Sequence, residues 1–324
     1  MTDSWARARQ MLAAAGLAPD ALTHLTHLTP LTGGTYNTVE ELRLTGGGRY
    51  VLKVAPAAEG LRHERRLLVN EAEFAAGAAR AGVPAPRVLV PGDRLLMTAL
   101  PGTPWDDDTL TDAERRLLRV ELGRLVARLH QVTGPGFGYP SGALGPLAPD
   151  WRTAFTTMLD AVLADARDHR PWLPRPVDAI AATLAAGYDA LDAVTVPRLV
   201  HFDLWPGNIL VDRSTGTPRV GGLVDGERMF WGDPLADFVS LALLGDLRGD
   251  DAFLAGYREA GGRAAFDAPE RLRLALYRGY LYLIMLTEVV PRRVDAAHLD
   301  RVRRAVAPHL VAALDEIDAL SPVS

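Results

Sequence analysis

The stretch that decides the fold of this chain is His201-Phe202-Asp203-Leu204-Trp205-Pro206-Gly207-Asn208, which two short apolar runs enclose. The runs at 198–200 and 209–211 are typical of strands, and turn residues at 212–218 lead into a third apolar run at 220–224. The second and third runs predict a hairpin. Because antiparallel strands return the chain to where it began, we expect Asn208, which opens the hairpin, to lie beside Asp225, which closes it.

Three side chains with oxygen ligands converge at the open end of this hairpin. Asp203 lies on the loop before Asn208 and adds a second carboxylate to that of Asp225. Carboxylate and amide oxygens suit a hard cation such as Mg²⁺, which proteins usually hold through one or two carboxylates together with substrate phosphates. The stretch therefore predicts a magnesium site. The competing interpretation is a strand-end turn in which Asp203 and Asn208 only cap backbone groups.

The spacing His-x-Asp-x-x-x-x-Asn, followed by an Asp at the end of a hairpin, resembles the catalytic segment of protein-kinase-like enzymes. With Trp231-Gly232-Asp233-Pro234 downstream, the segment is similar to that of the aminoglycoside phosphotransferase-like family of small-molecule kinases. Two positions depart from the family pattern. Phe202 stands where the family often has glycine, and Gly226 stands where it often has a bulky aromatic residue, so the fine geometry of the loop does not follow from the resemblance.

Composition limits the classes of protein that this chain can represent. Its 324 residues are 48% hydrophobic and carry a net charge of −5, so one large domain or two modest ones can form, and a sequence-wide affinity for nucleic acid is not expected. The absence of cysteine excludes disulfides, thiol catalysis and cysteine-ligated zinc. Neither a secretion signal nor an apolar run of membrane-spanning length is evident, which favours a cytoplasmic protein without membrane contact.

Lys53 is the only lysine among 35 lysine and arginine residues, so the other 34 are arginine. A strong arginine bias replaces lysine wherever the two are interchangeable. They are not interchangeable where a compact charge must fit among phosphate oxygens and a carboxylate. Lys53 is therefore a candidate for phosphate contact, and the alternative is an ordinary surface lysine.

The first hundred residues predict one helix before a five-stranded antiparallel sheet. The helix spans about 4–15, and the strands span about 26–31, 36–44, 50–55, 87–90 and 94–100. In a meander, the loop that carries Gly33 and Gly34 lies at the same end of the sheet as Lys53. Backbone N–H groups at such glycines suit nucleotide phosphates, although a glycine pair by itself more often marks an ordinary turn.

A helix predicted over 61–81 carries Glu71 and Glu73. In kinase-like folds, a glutamate of such a helix holds the lysine in place. The distance to Val83-Pro84-Ala85-Pro86 favours Glu71 over Glu73. For both glutamates the alternative is a charge that faces water, as most helix charges do.

The segment Met97-Thr98-Ala99-Leu100-Pro101-Gly102 resembles the hinge of the family. The resemblance implies that backbone amides from Thr98 to Leu100 bond the adenine edge and that Met97 faces the nucleotide pocket. The alternative is an ordinary core strand that ends in a Pro-Gly turn.

Beyond residue 101 the pattern changes to helices. They are predicted at about 111–131, 151–168, 177–193, 235–244, 251–260, 270–289 and 298–320, the first of them opened by a capping box of Thr111 and Glu114. Asp106 to Asp108 and Glu288 are acidic candidates for the lining of a substrate pocket. Solvated turn residues are the simpler interpretation of the three aspartates.

The resemblance implies an α+β, two-lobed protein-kinase-like fold, with a nucleotide-binding lobe at 1–100 and a mostly helical catalytic and substrate lobe at 101–324. It also implies phosphoryl transfer from ATP or GTP to a hydroxyl of a small molecule. Asp203 would position that hydroxyl and accept its proton, Asn208 and Asp225 would hold Mg²⁺, and Lys53 would contact the donor phosphates.

The acceptor is the least determined part of this interpretation. An antibiotic such as an aminoglycoside or a macrolide is expected. The alternatives are a kinase of choline, homoserine or a sugar derivative, and a nucleotide-binding protein without catalysis, against which the presence of Lys53, Asp203, Asn208 and Asp225 counts. The sequence does not choose between ATP and GTP, nor between a monomer and a homodimer.

Overall fold

The N-terminal part of the protein is an antiparallel sheet with a helix on each face. The computed structural model describes residues 2–17, 25–30, 37–56 and 60–321. The elements of this part are α1 (Thr2–Ala14), β1 (Leu25–Pro30), β2 (Thr38–Leu44), β3 (Arg49–Val54), α2 (Leu67–Ala81), β4 (Val88–Val90) and β5 (Arg94–Thr98). The strand order is β1-β2-β3-β5-β4, and all neighbours are antiparallel.

The two faces of the sheet bury different helices. Leu42, Leu52 and Leu96 pack with residues of α1, whereas Leu95 and Met97 pack with Leu68 at the start of α2. Because side chains alternate along a strand, Lys53 points away from the Leu52 face and towards α2. The central position of β3 in the sheet therefore fixes where the lysine lies.

The rest of the protein is mostly helical. Its elements are β6 (Thr103–Pro104), α3 (Asp112–Leu129), α4 (Trp151–His169), α5 (Val177–Ala185), β7 (Arg198–Val200), β8 (Ile209–Asp212), β9 (Arg219–Leu223), β10 (Phe230–Gly232), α6 (Leu235–Leu241), α7 (Asp251–Glu259), α8 (Ala268–Glu288) and α9 (Ala296–Leu320). The predicted capping box is present, since Thr111 Oγ1 accepts the N–H of Glu114 and Glu114 accepts the N–H of Thr111. In the described residues, no helix is both long and apolar enough to cross a bilayer.

The predicted hairpin is formed by β8 and β9, with Ile209 opposite Leu223. The N–H of Val224 donates to the carbonyl of Asn208 at 3.0 Å, which brings the chain positions of Asn208 and Asp225 together at the open end. Strand β7 does not join this hairpin and pairs instead with β10. The loop from β7 to β8 therefore connects two separate small sheets.

Three predicted helices are shorter than expected, and the one over 235–244 ends at Leu241. The prediction over 61–81 is wrong in its first part: residues 62–64 form a single 3₁₀ turn, and Arg66 adopts a left-handed φ of 62°, so that α2 begins at Leu67. The prediction over 177–193 is also wrong in extent, because α5 ends at Ala185 and a 3₁₀ segment follows at 188–193. At this break, Gly187 lies so close to α8 that a Cβ atom there would meet Leu276 at 3.1 Å.

Candidate active site

Lys53 lies at the centre of a group of carboxylates from two other parts of the chain, of which Glu71 and Glu227 are buried and Asp225 is partly exposed. Its Nζ atom donates to Glu71 of α2 at 2.8 Å and to Asp225, which follows β9, and it lies 3.6 Å from Glu227. Only 7% of the lysine side chain is exposed. We call Lys53, Glu71, Asp225 and Glu227 the lysine cluster. Glu73 is not part of it; that side chain lies near Arg80 instead.

Charge in the lysine cluster is unbalanced, because one ammonium faces three carboxylates. Burial alone would lower the pKa of Lys53, but Glu71, Asp225 and Glu227 raise it well above its ordinary value. Burial would raise the pKa of Asp225, yet the ammonium holds it below its ordinary value. Burial and the nearby Asp225 raise the pKa of Glu227 well above its usual range. The cluster therefore keeps Lys53 charged, and a further cation at Glu227 would take the place of the proton that the raised pKa of this carboxyl favours.

The donor set of the lysine cluster fits a hard divalent cation. Oxygen atoms of Glu71, Asp225 and Glu227 all lie within 4.8 Å of one another, and the chain has no cysteine that could supply a softer ligand. Glu71 and Asp225 both bond Lys53, but only Asp225 and Glu227 also line the adjoining cavity, so these two are the carboxylates better placed for a metal. Glu227 was not predicted from the sequence, although its position two residues after Asp225 was a signal that could have been used.

Asp203 lies on the loop that joins β7 to β8. The amide nitrogen of Asn208 donates to the Asp203 carboxylate at 2.9 Å and to the Asp203 carbonyl at 2.8 Å. This uses the nitrogen of Asn208 and leaves its side-chain oxygen as an acceptor. Removal from water raises the pKa of Asp203 to about 6, against the opposing effect of the Arg228 charge. The carboxyl is therefore still ionised at neutral pH and lies close to the range that suits a base.

The conformation of this loop is held by residues outside the recognised motif. Asp237 of α6, which is fully buried, accepts the N–H groups of His201 and Phe202 at 3.1 and 2.6 Å and contacts His130 at 2.9 Å. Phe202 has a left-handed φ of 62°, which accounts for the glycine that the family often has there. The bonds from Asp237 hold the phenylalanine in a conformation that such residues rarely adopt.

The hinge residues lie at the end of β5, opposite the start of β3, whereas Lys53 lies opposite Leu95. Met97 is buried on the same face of the sheet as Lys53, opposite Val51 of β3. Two of the expected adenine donors already have partners: the N–H groups of Thr98 and Ala99 donate to the carbonyls of Arg87 and Arg49. Among these three amides, only that of Leu100 has no partner in the described part of the chain. Gly33 and Gly34 lie outside the described residues.

A cavity of about 290 Å³ opens beside Asp203 and Asp225. Its far wall carries Arg228, Arg292 and Glu288 above the apolar Leu281 and Met285 of α8. Glu288 accepts from Arg228 at 2.7 Å and lies 2.9 Å from Arg292, which also pairs with Glu64. We call Glu64, Arg228, Glu288 and Arg292 the arginine cluster. Its two arginines and two glutamates balance in charge.

Of the acidic residues expected to line a substrate pocket, Glu288 does line this cavity, but Asp106 to Asp108 do not. Asp107 accepts from the indole of Trp105 at 2.8 Å and from Arg115 at 3.0 Å, and Asp106 caps the turn that follows it. The three aspartates therefore belong to an exposed turn, which agrees with their interpretation as solvated turn residues.

Comparison with known sequences gives one family. Residues 27–277 match the family described as "Phosphotransferase enzyme family". The viomycin phosphotransferase of Streptomyces vinaceus is 29% identical to this chain over 183 residues, which are 55% of this chain and 58% of that protein. The chain thus spans little more than half the length of this curated relative.

Solved structures with the same overall architecture cover nearly the whole chain. The macrolide 2′-phosphotransferase from Brachybacterium faecium superposes with a TM-score of 0.59 at 20% identity, over 94% of this chain and 98% of that one. The ethanolamine kinase of Plasmodium vivax gives a TM-score of 0.63 at 11% identity, over 94% of this chain and 86% of that one. At these identities the likeness shows the fold, which is a mixed α/β kinase-like fold with a helical C-terminal part.

Proposed function

This chain belongs to the phosphotransferase enzyme family, and on that premise we propose that it transfers a phosphoryl group from ATP or GTP to a hydroxyl of a small molecule. The observation that carries the proposal is the lysine cluster. Lys53, Glu71 and Asp225 come from β3, α2 and the turn after β9, and they meet beside a cavity that Asp203 also lines. Phosphoryl transfer needs this combination of a fixed cation, metal-binding oxygens and a base that faces the acceptor.

Each residue of the site has a role in the proposed reaction. Glu71 orients Lys53, and Lys53 contacts the phosphates of the donor. Asn208 and Asp225 would hold Mg²⁺, with Glu227 as a third candidate ligand. Magnesium, when bound, neutralises charge on the donor phosphates. Met97 and the amide of Leu100 would face the purine base of the nucleotide. Gly33 and Gly34 would face its phosphates.

Asp203 has the environment of a positioning base. Its carboxylate aligns the acceptor hydroxyl and takes the hydroxyl proton as the acceptor oxygen bonds to the phosphoryl group and the bond from that group to the nucleoside diphosphate breaks. With a pKa of about 6, the carboxyl is ionised at neutral pH and yet basic enough to accept that proton. The amide of Asn208 fixes the orientation of the carboxylate.

We infer that the acceptor is an antibiotic or a related hydroxylated molecule that is not a polycation. A polycationic aminoglycoside would need carboxylates that are free to pair with it, but Glu288 is bonded to Arg228 and lies beside Arg292. The apolar side chains of Leu281 and Met285 suit the face of a sugar ring. A cavity of about 290 Å³ has room for one ring of a glycoside or for a small metabolite. The balance of charge thus favours a macrolide sugar or a sugar-derived metabolite over an aminoglycoside.

The test is a screen for nucleotide consumption with the wild-type protein and Asp203→Asn. We expect stimulation by at least one neutral glycoside or polyhydroxylated metabolite, and a loss of at least about 100-fold in turnover in Asp203→Asn with little change in nucleotide affinity. Equal turnover in the two proteins would remove Asp203 from the mechanism. Intact nucleotide binding without stimulation by any compound would instead support a nucleotide-binding protein without catalysis.

A further inference from the structure

Gly226 directly follows Asp225, and its backbone does not require a glycine. Its φ angle is not among the positive values of the described glycines, so other residues could adopt this conformation. What excludes a side chain is the neighbour. A Cβ atom built on Gly226 would lie 2.2 Å from Cδ1 and 2.3 Å from Cγ of Phe74. The ring of Phe74 therefore fills the space into which a side chain at position 226 would project.

Phe74 also contacts His201, the residue that opens the loop of Asp203. The two rings meet edge to face, with centroids 4.7 Å apart. His201 Nδ1 accepts the N–H of Asp203 at 3.2 Å, so the proton is on Nε2, which donates to the carbonyl of Val224 at 3.0 Å. The imidazole thus bonds both to Asp203 and to the residue before Asp225. Burial lowers the pKa of His201, which keeps the ring neutral in this role.

The helix that supplies Phe74 is the helix that supplies Glu71. Residues 71 and 74 are one turn apart on α2 and face the same side. Two further contacts hold α2 in place. Asn70 donates to the carbonyl of Glu227 at 3.1 Å. Gly77 packs so closely on Leu199 of β7 that a Cβ atom built on Gly77 would lie 2.1 Å from that side chain. Any rotation or shift of α2 would therefore move Phe74 and Glu71 together.

We propose that Phe74 is a positioning residue, which locks the helix of Glu71 to the two aspartates of the site through His201, and that position 226 is glycine in order to admit its ring. The aromatic group beside Asp225 comes from α2 instead of from the residue that follows Asp225. The expected effect of Phe74 on turnover rests on the proposed function. The expected effect of Phe74 on the packing of α2 against the loop is independent of that function.

A double-mutant cycle tests the proposal. The variants are Phe74→Ala, Gly226→Ala and the double variant. In the wild-type background, Gly226→Ala displaces the ring, and we expect kcat to fall about ten-fold or more with the nucleotide KM changed less than about three-fold, because a small misplacement of reacting groups is enough. In the Phe74→Ala background the ring is absent, and we expect Gly226→Ala to change kcat less than about two-fold.

Two more variants distinguish a positioning role of Phe74 from a general contribution to core packing. Phe74→Ala/Gly226→Phe returns an aromatic ring to the same space from the other chain segment, and we expect it to regain at least part of the kcat that Phe74→Ala loses. Phe253→Leu shortens a fully buried phenylalanine of α7 whose ring packs on Phe238 and Tyr257 and not on His201, and it should lower the melting temperature without lowering kcat. If Phe74→Ala does not fold, Phe74→Leu is compared with Phe253→Leu, and a lower kcat in the former alone supports positioning.

Amide hydrogen exchange supplies a readout that does not need turnover. We expect faster exchange at 201–204 and 223–226 in Phe74→Ala and in Gly226→Ala, and wild-type rates there in Phe253→Leu. Independent effects of the two substitutions on both kcat and exchange would overturn the proposal, as would an unchanged kcat in Phe74→Ala. If exchange shows the coupling but no acceptor is ever phosphorylated, the proposed function fails while the link between α2 and the loop stands.

Discussion

The lysine cluster and the arginine cluster meet at Asp203 and differ in how their charges are balanced. In the lysine cluster, one ammonium faces the three carboxylates of Glu71, Asp225 and Glu227. In the arginine cluster, two guanidinium groups face two carboxylates, and each arginine has a direct partner. The first cluster has a formal excess of negative charge that a divalent cation would relieve. The second has no such excess and gives a charged ligand little to gain.

This difference assigns separate tasks to the two sides of the cavity. An unbalanced and largely buried group of carboxylates is costly unless a cation joins it, so the lysine cluster is suited to bind a metal ion together with phosphates. In the arginine cluster the charges balance, so its side chains are suited to hold one another in place and to offer hydrogen bonds to a neutral polar molecule. Substitutions should therefore affect nucleotide-dependent steps on one side and acceptor affinity on the other.

The largest effect is expected for Lys53. Both Lys53→Arg and Lys53→Met should lose about 1,000-fold or more in turnover, because a planar guanidinium cannot fit among three carboxylates that surround a compact ammonium, and a thioether has no charge. Lys53→Met also leaves buried carboxylates without a counter-charge, which costs about 3–5 kcal/mol, so it should melt at a lower temperature than Lys53→Arg. Steady-state kinetics and thermal unfolding measure the two effects.

The matched control for Lys53→Arg is the reverse exchange at an exposed site of the same sheet. Arg43 is about half exposed and pairs with Glu41 on β2. Arg43→Lys should keep turnover within about two-fold of wild type, since surface pairs contribute little. Turnover of Lys53→Arg within ten-fold of wild type would mean that charge alone matters at position 53 and that the solitary lysine is a chance survivor.

A smaller loss of activity is expected when Lys53 keeps its charge but loses the glutamate that orients it. Glu71→Gln removes one charge from the contact with Lys53 and should lower kcat/KM for the nucleotide by about 10-fold to 100-fold. Glu73→Gln, two residues away on the same helix but outside the lysine cluster, should change it less than about two-fold. Equal losses in both variants would show that the helix, and not the contact between Lys53 and Glu71, determines activity.

Local spacing carried most of what could be predicted about the lysine cluster. The hairpin brings Asn208 beside Val224 because pairing in a two-stranded unit follows from the turn between the strands, and Lys53 faces α2 because side chains alternate along β3. The break at Arg66 could not be predicted in the same way. There the chain leaves the helical conformation while the buried Glu64 is fixed by Arg292, a residue 228 positions away.

The arginine cluster shows why the acceptor side could not be predicted. Glu288 and Arg292 are four residues apart at the end of α8, but Glu64 and Arg228 come from two other segments, and no spacing along the chain relates these two to that pair. Their contacts depend on how the end of α8 packs against the turn before α2. Glu288 could be suggested as a pocket residue from its charge, but its pairing with two arginines reverses the meaning of that charge. Asp106 to Asp108, chosen on the same ground, lie in an exposed turn.

The arginine cluster is expected to act on the acceptor and not on the nucleotide. Arg228→Met removes a guanidinium that lines the cavity and should raise the KM for the acceptor about ten-fold, with nucleotide affinity changed less than about two-fold. Arg248→Met serves as the control, because Arg248 pairs with Asp246 outside the cavity. An equal loss of nucleotide affinity in Arg228→Met would show that the two sides of the cavity are not separate.

The smallest effect is expected in the pH dependence of turnover, where both clusters act on one group. Asp203 accepts a proton only when ionised, so kcat/KM should fall as the pH drops through the pKa of its carboxyl, which is about 6. Asp225 and Glu288 raise this pKa, and Arg228 lowers it. Loss of the Arg228 cation in Arg228→Gln should therefore move the acid limb to higher pH, and loss of the Glu288 anion in Glu288→Gln should move it to lower pH.

Glu73→Gln should leave the limb unchanged. Because the bound metal and nucleotide are the same in all variants, the opposite directions of the two shifts are the diagnostic result. Shifts in the same direction would mean that the limb reports a group other than Asp203, and that the arginine cluster does not set the basicity of the proposed base.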